Sequence, residues 1–220
     1  RSEREVAQLT AGAEGESSPR WAPDGRSIVF TAKRTGDEVT QLYRLSLAGG
    51  EALRLTTHET AVSSPAWAPD GSMVYFLASD PKTADEKARE KAKDDVYAFE
   101  EDYKQTHLWR VAVSGGQAAR ITSGDFTVAR YRVSADGRRI AHQRAPSPLF
   151  GEADRGEVWV MDSGGGGAVA LTKNAVSESG AELSPDGSTV LFVAAANASF
   201  APYYNGKIFL APATGGPIRV

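Results

Sequence analysis

One phrase recurs four times along this chain: an apolar strand, a tight turn, two further hydrophobic strands, paired glycines and a Leu-Thr close. The turns are Ala22-Pro23-Asp24-Gly25, Ala68-Pro69-Asp70-Gly71, Ser134-Ala135-Asp136-Gly137 and Ser184-Pro185-Asp186-Gly187. Glycine pairs follow at Gly49-Gly50, Gly115-Gly116, within Gly164 to Gly167, and at Gly215-Gly216. The closing dipeptides are Leu55-Thr56, Ile121-Thr122 and Leu171-Thr172, and a further Leu9-Thr10 stands before the first repeat. A repeat with strand patterns inside it is a unit that buries its hydrophobic faces only against its neighbours. Four short strands per unit of roughly 45–50 residues point to an all-β fold, a β-propeller.

The blade units run over 11–56, 57–122, 123–172 and 173–220. In the second, Val62–Trp67 reads as a first strand ending at Pro69-Asp70-Gly71. Proline presets φ for the turn, Asp bonds the neighbouring backbone, and Gly takes the positive φ that follows, so Met73–Leu77 should return antiparallel. Thr106–Val113 and Ala118–Thr122 complete that blade. The other second strands are Ser27–Ala32, Arg139–Arg144 and Thr189–Ala194, and the other third strands Gln41–Leu47, Glu157–Met161 and Lys207–Leu210. Trp21 and Trp67, just before their turns, are expected to pack between neighbouring blades.

The segment Glu5–Thr10 reads as the fourth strand of a preceding blade, and Pro217–Val220 as the start of the last blade's fourth strand. Both ends offer the same strand, so the expectation is an open arc of four blades from a longer ring. The alternative is a closed four-bladed ring with one terminal strand displaced. The chain starts at Arg1 without a methionine, so the true N-terminus and any targeting segment are expected to be missing, which leaves the compartment open. An open arc leaves two blade faces uncovered, and the isolated chain should self-associate, making a homo-oligomer one expected partner state.

Composition narrows the chemistry. With no cysteine, disulfides, thiolate metal sites and cysteine nucleophiles are excluded. A net charge of −3 without a basic stripe gives no footprint for nucleic acid. No apolar run approaches the ~20 residues of a membrane helix. No G-x-S-x-G elbow is present, so no catalytic serine is assigned. His58, His107 and His142 fall in separate repeats and lack metal-binding spacing. The Gly164–Gly167 run lacks the Lys-Ser/Thr of a phosphate loop. The turn aspartates are too far apart in sequence to cluster round calcium. The expectation is therefore no catalytic residue, no metal and no cofactor in this chain.

The second repeat carries an insertion over 80–105. Thr83 and Glu86 form a candidate capping box for a solvated helix through Ala84–Lys93. Beyond it, Asp94-Asp95-Val96-Tyr97-Ala98-Phe99-Glu100-Glu101-Asp102-Tyr103 mixes aromatics with acids. Two readings stay open: the aromatics pin the insertion, or its carboxylates face a cavity and pair with a cationic group.

Trp21-Ala22-Pro23-Asp24-Gly25, an apolar strand, Leu42-Tyr43-Arg44-Leu45 and Gly49-Gly50 together resemble the TolB-type propeller repeat. The resemblance spans nearly the whole chain, and it specifies fold, because scaffolds and enzymes share the repeat. The segment from Asp94 to Trp109 is similar to the long second blade of bacterial serine peptidases of the prolyl oligopeptidase family, in the acylaminoacyl and dipeptidyl peptidase branches. That resemblance implies a seven- or eight-bladed propeller capping a C-terminal α/β-hydrolase domain with a Ser-Asp-His triad outside these residues. It also implies a peptide substrate whose free amine a glutamate pair grips, and Glu100 with Glu101 are the candidates. The competing readings are a TolB-like scaffold that binds other proteins without catalysis, and an enzyme working in its own channel.

Overall fold

The computed structural model describes residues 8–12, 14–94, 103–152, 155–174, 176–197 and 199–219. The first sheet comprises β1 (Glu16–Trp21), β2 (Ser27–Ala32), β3 (Gln41–Ser46) and β4 (Leu53–Arg54), paired antiparallel in that order. The second comprises β5 (Val62–Trp67), β6 (Met73–Ser79), β7 (Thr106–Ala112) and β8 (Ala119–Arg120). The helix α1 (Ala84–Lys91) sits between β6 and β7. The third sheet comprises β9 (Thr127–Val133), β10 (Arg139–Ala145), β11 (Glu157–Asp162) and β12 (Val169–Ala170). The fourth has three strands, β13 (Glu178–Leu183), β14 (Thr189–Ala196) and β15 (Pro202–Pro212). Its fourth strand is begun by Arg219, which exchanges two 2.8 Å backbone hydrogen bonds with Leu210.

Each blade opens on the same turn for the same reason. The Gly25, Gly71, Gly137 and Gly187 amides donate back to the carbonyls of Ala22, Ala68, Ser134 and Ser184 at 2.8–2.9 Å. Those glycines hold φ between 68° and 72°, where a side chain is disfavoured. Asp24, Asp70, Asp136 and Asp186 each accept at Oδ1 from the amide two residues on, at 2.9–3.0 Å. In the fourth turn Ser184 and Ser188 also donate to Asp186 and hold its carboxyl at about 2.

The sheets face one another in sequence. Val29, Leu42 and Leu55 of the first blade pack on Val62, Val74 and Phe76 of the second. Tyr75, Leu77 and Leu108 of the second pack on Val128, Ile140 and Met161 of the third. Ala141, Val158 and Val160 of the third pack on Leu183, Val190 and Phe192 of the fourth. Phe76 and Phe192 occupy the same place in their blades and are fully buried, contributing about 1.5–3 kcal/mol each relative to exposure. In the second, third and fourth blades, Gly115, Gly165 and Gly215 let the turn after the third strand reach the preceding blade. A Cβ on Gly165, whose φ is +100°, would lie 2.6 Å from the Ile121 carbonyl oxygen.

The two ends of the arc differ. On the outer face of the first blade, Phe30 and Tyr43 are buried under the Arg34 guanidinium, 5.4 and 4.8 Å from their ring centres. On the outer face of the fourth, Leu191, Val193, Ile208 and Leu210 are exposed as cross-strand neighbours. Trp21 departs from expectation and is 65% exposed. Its counterparts are covered because a blade precedes them; Trp67 packs on the first blade and donates through Nε1 to the Arg20 carbonyl at 3.1 Å. No described sheet stands before the first blade to do the same for Trp21.

The expected strand at Glu5–Thr10 falls partly outside the described residues, and Gln8 to Thr10 form no strand. Thr10 nevertheless donates to Glu16 at 2.6 Å, and Thr172 donates to Glu178 at 2.6 Å across the same six-residue interval. Leu9-Thr10 thus meets the first blade as Leu171-Thr172 meets the fourth.

Candidate functional site

First strands are edge strands here: β1, β5, β9 and β13 each pair only with the second strand of their own blade. They also approach each other across blade boundaries, β1 meeting β5 and β9 meeting β13. This places them on the inner, axial side of the arc. Between them opens a cleft of about 320 Å3, lined by Arg20, by Ser64, Pro65, Ala66 and Trp67, and by β9 from Ala129 to Val133. Arg130 and Arg132 project on alternate positions of β9 and are exposed, as is Arg20. Between them Tyr131 turns the other way and donates to the Ser64 carbonyl at 2.6 Å. Burial pushes the Tyr131 phenol well up, so it remains a neutral donor. Ser64 sits at φ 50°, within the register shift between Ser63 and Ala66. Ser18 and Gly180 hold φ values of 52° and 65° at corresponding shifts in β1 and β13.

Among the described residues, no carboxylate forms an ion pair with Arg20, Arg130 or Arg132. Arg20 donates to the neighbouring Pro19 carbonyl at 2.9 Å. Sequence reasoning missed this cleft. Its signal emerges once the repeats are aligned by their turns, which put Arg20, Ala66, Arg132 and Glu182 at one position of the blade.

The histidines serve packing. His107 is fully buried, its Nδ1 3.1 Å from the Thr122 hydroxyl and its Nε2 3.6 Å from Asp80; burial and the Arg120 charge bring it down to about 4. His142 is also fully buried and accepts at Nε2 from Arg144 Nε at 2.9 Å; burial brings it down to about 3. His58 meets the Trp109 ring edge-on at 4.7 Å, and burial lowers its pKa.

The Leu-Thr pairs acquire a purpose in the same network. Thr56, Thr122 and Thr172 accept at Oγ1 from the amides of Leu42, Leu108 and Val158 at 2.8–3.0 Å. Each hydroxyl then bonds a partner at the start of a strand: Thr56 donates to Gln41 at 2.7 Å, Thr172 donates to Glu178 at 2.6 Å, and Thr122 lies 3.1 Å from His107 Nδ1. Glu178 is 4% exposed and also accepts from Asn174 Nδ2 at 2.8 Å. Desolvation raises its carboxyl to about 7 despite these donors.

The insertion leaves the blade from a fixed stem. The Asp80 amide donates to the Gln105 carbonyl at 2.8 Å, and Gln105 ties the stem to the third blade through Asp125, Pro146 and Thr127. The helix begins with the expected capping box: the Glu86 amide donates to Thr83 Oγ1 and the Thr83 amide to Glu86. Lys104 pairs with Glu86 and helps bring its carboxyl to about 2. Glu100 and Glu101 lie outside the described residues, together with Tyr97, Phe99 and Asp102. Among the described residues no helix is long and apolar enough to cross a membrane.

Residues 2–96 match the model of the TolB β-propeller domain. Over 47 residues the chain is 49% identical to the uncharacterized peptidase YuxL of Bacillus subtilis, a match covering 21% of this chain and 7% of that protein. TolB from Acinetobacter baumannii is similar with a TM-score of 0.57 at 20% identity, over 96% of this chain and 44% of its own. One of two structurally analysed prolyl endopeptidases is similar with a TM-score of 0.64 at 11% identity, over 91% of this chain and 27% of its own. The chain thus spans less than half of each of these proteins. It has the TolB-type propeller fold, which TolB and peptidase propellers share.

Proposed function

We propose that this chain is the propeller portion of a serine peptidase of the acylaminoacyl, dipeptidyl or oligopeptidase type. In this reading it gates and positions peptides for a C-terminal α/β-hydrolase domain of the same parent chain. The observation that carries the reading is the 49% identity over 47 residues to the peptidase YuxL. The insertion between β6 and β7 supports it, because its stem is pinned to two blades and a plain docking scaffold needs no such projection. A channel flanked by blades would admit short or unstructured peptides and exclude folded proteins by size. Glu100 and Glu101 are assigned to a substrate's free amine.

A second reading, a TolB-like scaffold that binds proteins without chemistry, is favoured by the match of residues 2–96 to the TolB propeller domain. An antibody against this chain, combined with a fluorophosphonate probe on native extract of the source organism, separates the two. The peptidase reading expects an antibody-positive band heavier than this chain that takes the label. An antibody-positive native protein that stays unlabelled overturns it in favour of the scaffold.

A further inference from the structure

We propose that the axial cleft lined by Arg20, Arg130 and Arg132 holds the C-terminal carboxylate of a short peptide; the peptide, as the ligand class, rests on the peptidase reading above. Three exposed guanidiniums line one opening of about 320 Å3, and among the described residues none is neutralised by a carboxylate. Like charges from β1 and β9 around one cleft repel one another, and an anion between them relieves that repulsion. Guanidinium also presents its donors as a planar fork that matches the two oxygens of a carboxylate.

The remaining lining suits a peptide. Half-buried Trp67, with Pro65 buried behind it, provides apolar surface beside the arginines, where the last side chain of the peptide would rest. The inner strands are edges, so their outward backbone groups can pair with an extended segment. The hydrogen bond from Tyr131 to the Ser64 carbonyl locks β9 to β5 and keeps the walls of the cleft in register. At the position that carries Arg20 and Arg132 in their blades, the fourth blade carries the exposed Glu182. The sign of charge therefore reverses along the arc, so a zwitterionic peptide has a preferred direction: carboxylate towards the first and third blades, amine towards the fourth.

The test is calorimetric titration of this chain with tetra-alanine as the free acid and as its C-terminal amide, with inorganic phosphate as competitor. The free acid is expected to bind at least about tenfold more tightly than the amide. The double variant Arg130→Gln/Arg132→Gln should abolish that difference. Both positions are exposed, so its melting curve should match that of the parent. Arg20→Gln should weaken the acid without affecting the amide. Equal affinity for acid and amide, no binding of either at millimolar concentration, or displacement by phosphate at the concentrations at which the peptide itself binds would overturn the assignment. Its failure leaves the peptidase reading to the labelling experiment. Acid-selective binding by a parent protein that takes no label would instead place the same site on a peptide-binding scaffold.

Discussion

At Thr172, two residues beyond the end of β12, a single hydroxyl joins two strands: it accepts from Val158 of β11 and donates to Glu178 of β13. The carboxylate at the end of this chain of bonds is buried, with Glu157 as its charged neighbour, and holds its proton to about pH 7. In the unfolded chain the same group releases its proton near its ordinary value of about 4.5. Between those pH values the native state binds more protons than the unfolded state, so stability falls as pH rises through the window. The loss is about 3 kcal/mol at most. His107 and His142, held neutral by burial, act in the opposite sense below about pH 6.5, so the informative quantity is a difference between proteins. Glu178→Gln, neutral at every pH, should lose this part of the slope and so gain in stability relative to the parent between about pH 5 and pH 7. Urea unfolding at closely spaced pH values measures it; parallel profiles for the two proteins would contradict the assignment. The Leu-Thr dipeptides were plain in the sequence, but their purpose was not. The amides they satisfy lie 14 residues away, on strands whose register only the fold supplies.

The elements that were most legible are those whose chemistry is local. The Pro-Asp-Gly turns, the strand Ser27–Ala32 and the Thr83 capping box match their readings because every bond that defines them closes within a few residues. The second blade's fourth strand is shorter than its apolar pattern suggests: Ala118–Thr122 contracts to Ala119–Arg120, because an outermost strand pairs on one side only and its end is taken by the threonine staple. The last third strand is longer than its pattern suggests: Lys207–Leu210 lies within an eleven-residue strand that runs back to Pro202 against Ala196. The arginine cleft was not legible in one repeat, as it needs three first strands brought side by side. The glycine pairs show the same dependence on a neighbour. Gly165→Ala combines a φ of +100° with a Cβ driven onto the Ile121 carbonyl, so it should cost about 3 kcal/mol or more. Gly49→Ala, with φ +102° and open space around its Cβ, should cost roughly 1–2 kcal/mol. Equal melting temperatures for the two variants would show that the contact between blades does not add to the backbone strain.

For the whole molecule, the unequal ends of the arc set its behaviour in solution. The Arg34 guanidinium lies over Phe30 and Tyr43 on the outer face of the first blade, whereas the fourth offers four adjacent apolar side chains to water. Contiguous apolar surface of this kind drives association. The isolated chain should therefore sediment as concentration-dependent oligomers, and Ile208→Lys with Leu210→Lys should shift it to monomer without lowering its helix or strand content. A parent chain that is already monomeric across the micromolar range would count against this use of the face.

The matched bonds from Thr10 to Glu16 and from Thr172 to Glu178 mean that the seams of this chain are out of step with its sheets. The first and fourth blades are each buttoned to the dipeptide that precedes them, so at these two seams the transferable module begins at a Leu-Thr and not at the strand that follows it. A circular permutant or chimera joined between residues 172 and 178 would sever a button while leaving every sheet intact; one opened at a Pro-Asp-Gly turn would do the reverse. Recombination within such an array is best tolerated when the dipeptide travels with the blade it fastens, and the repeat inherited as a unit is then the overlap between two sheets.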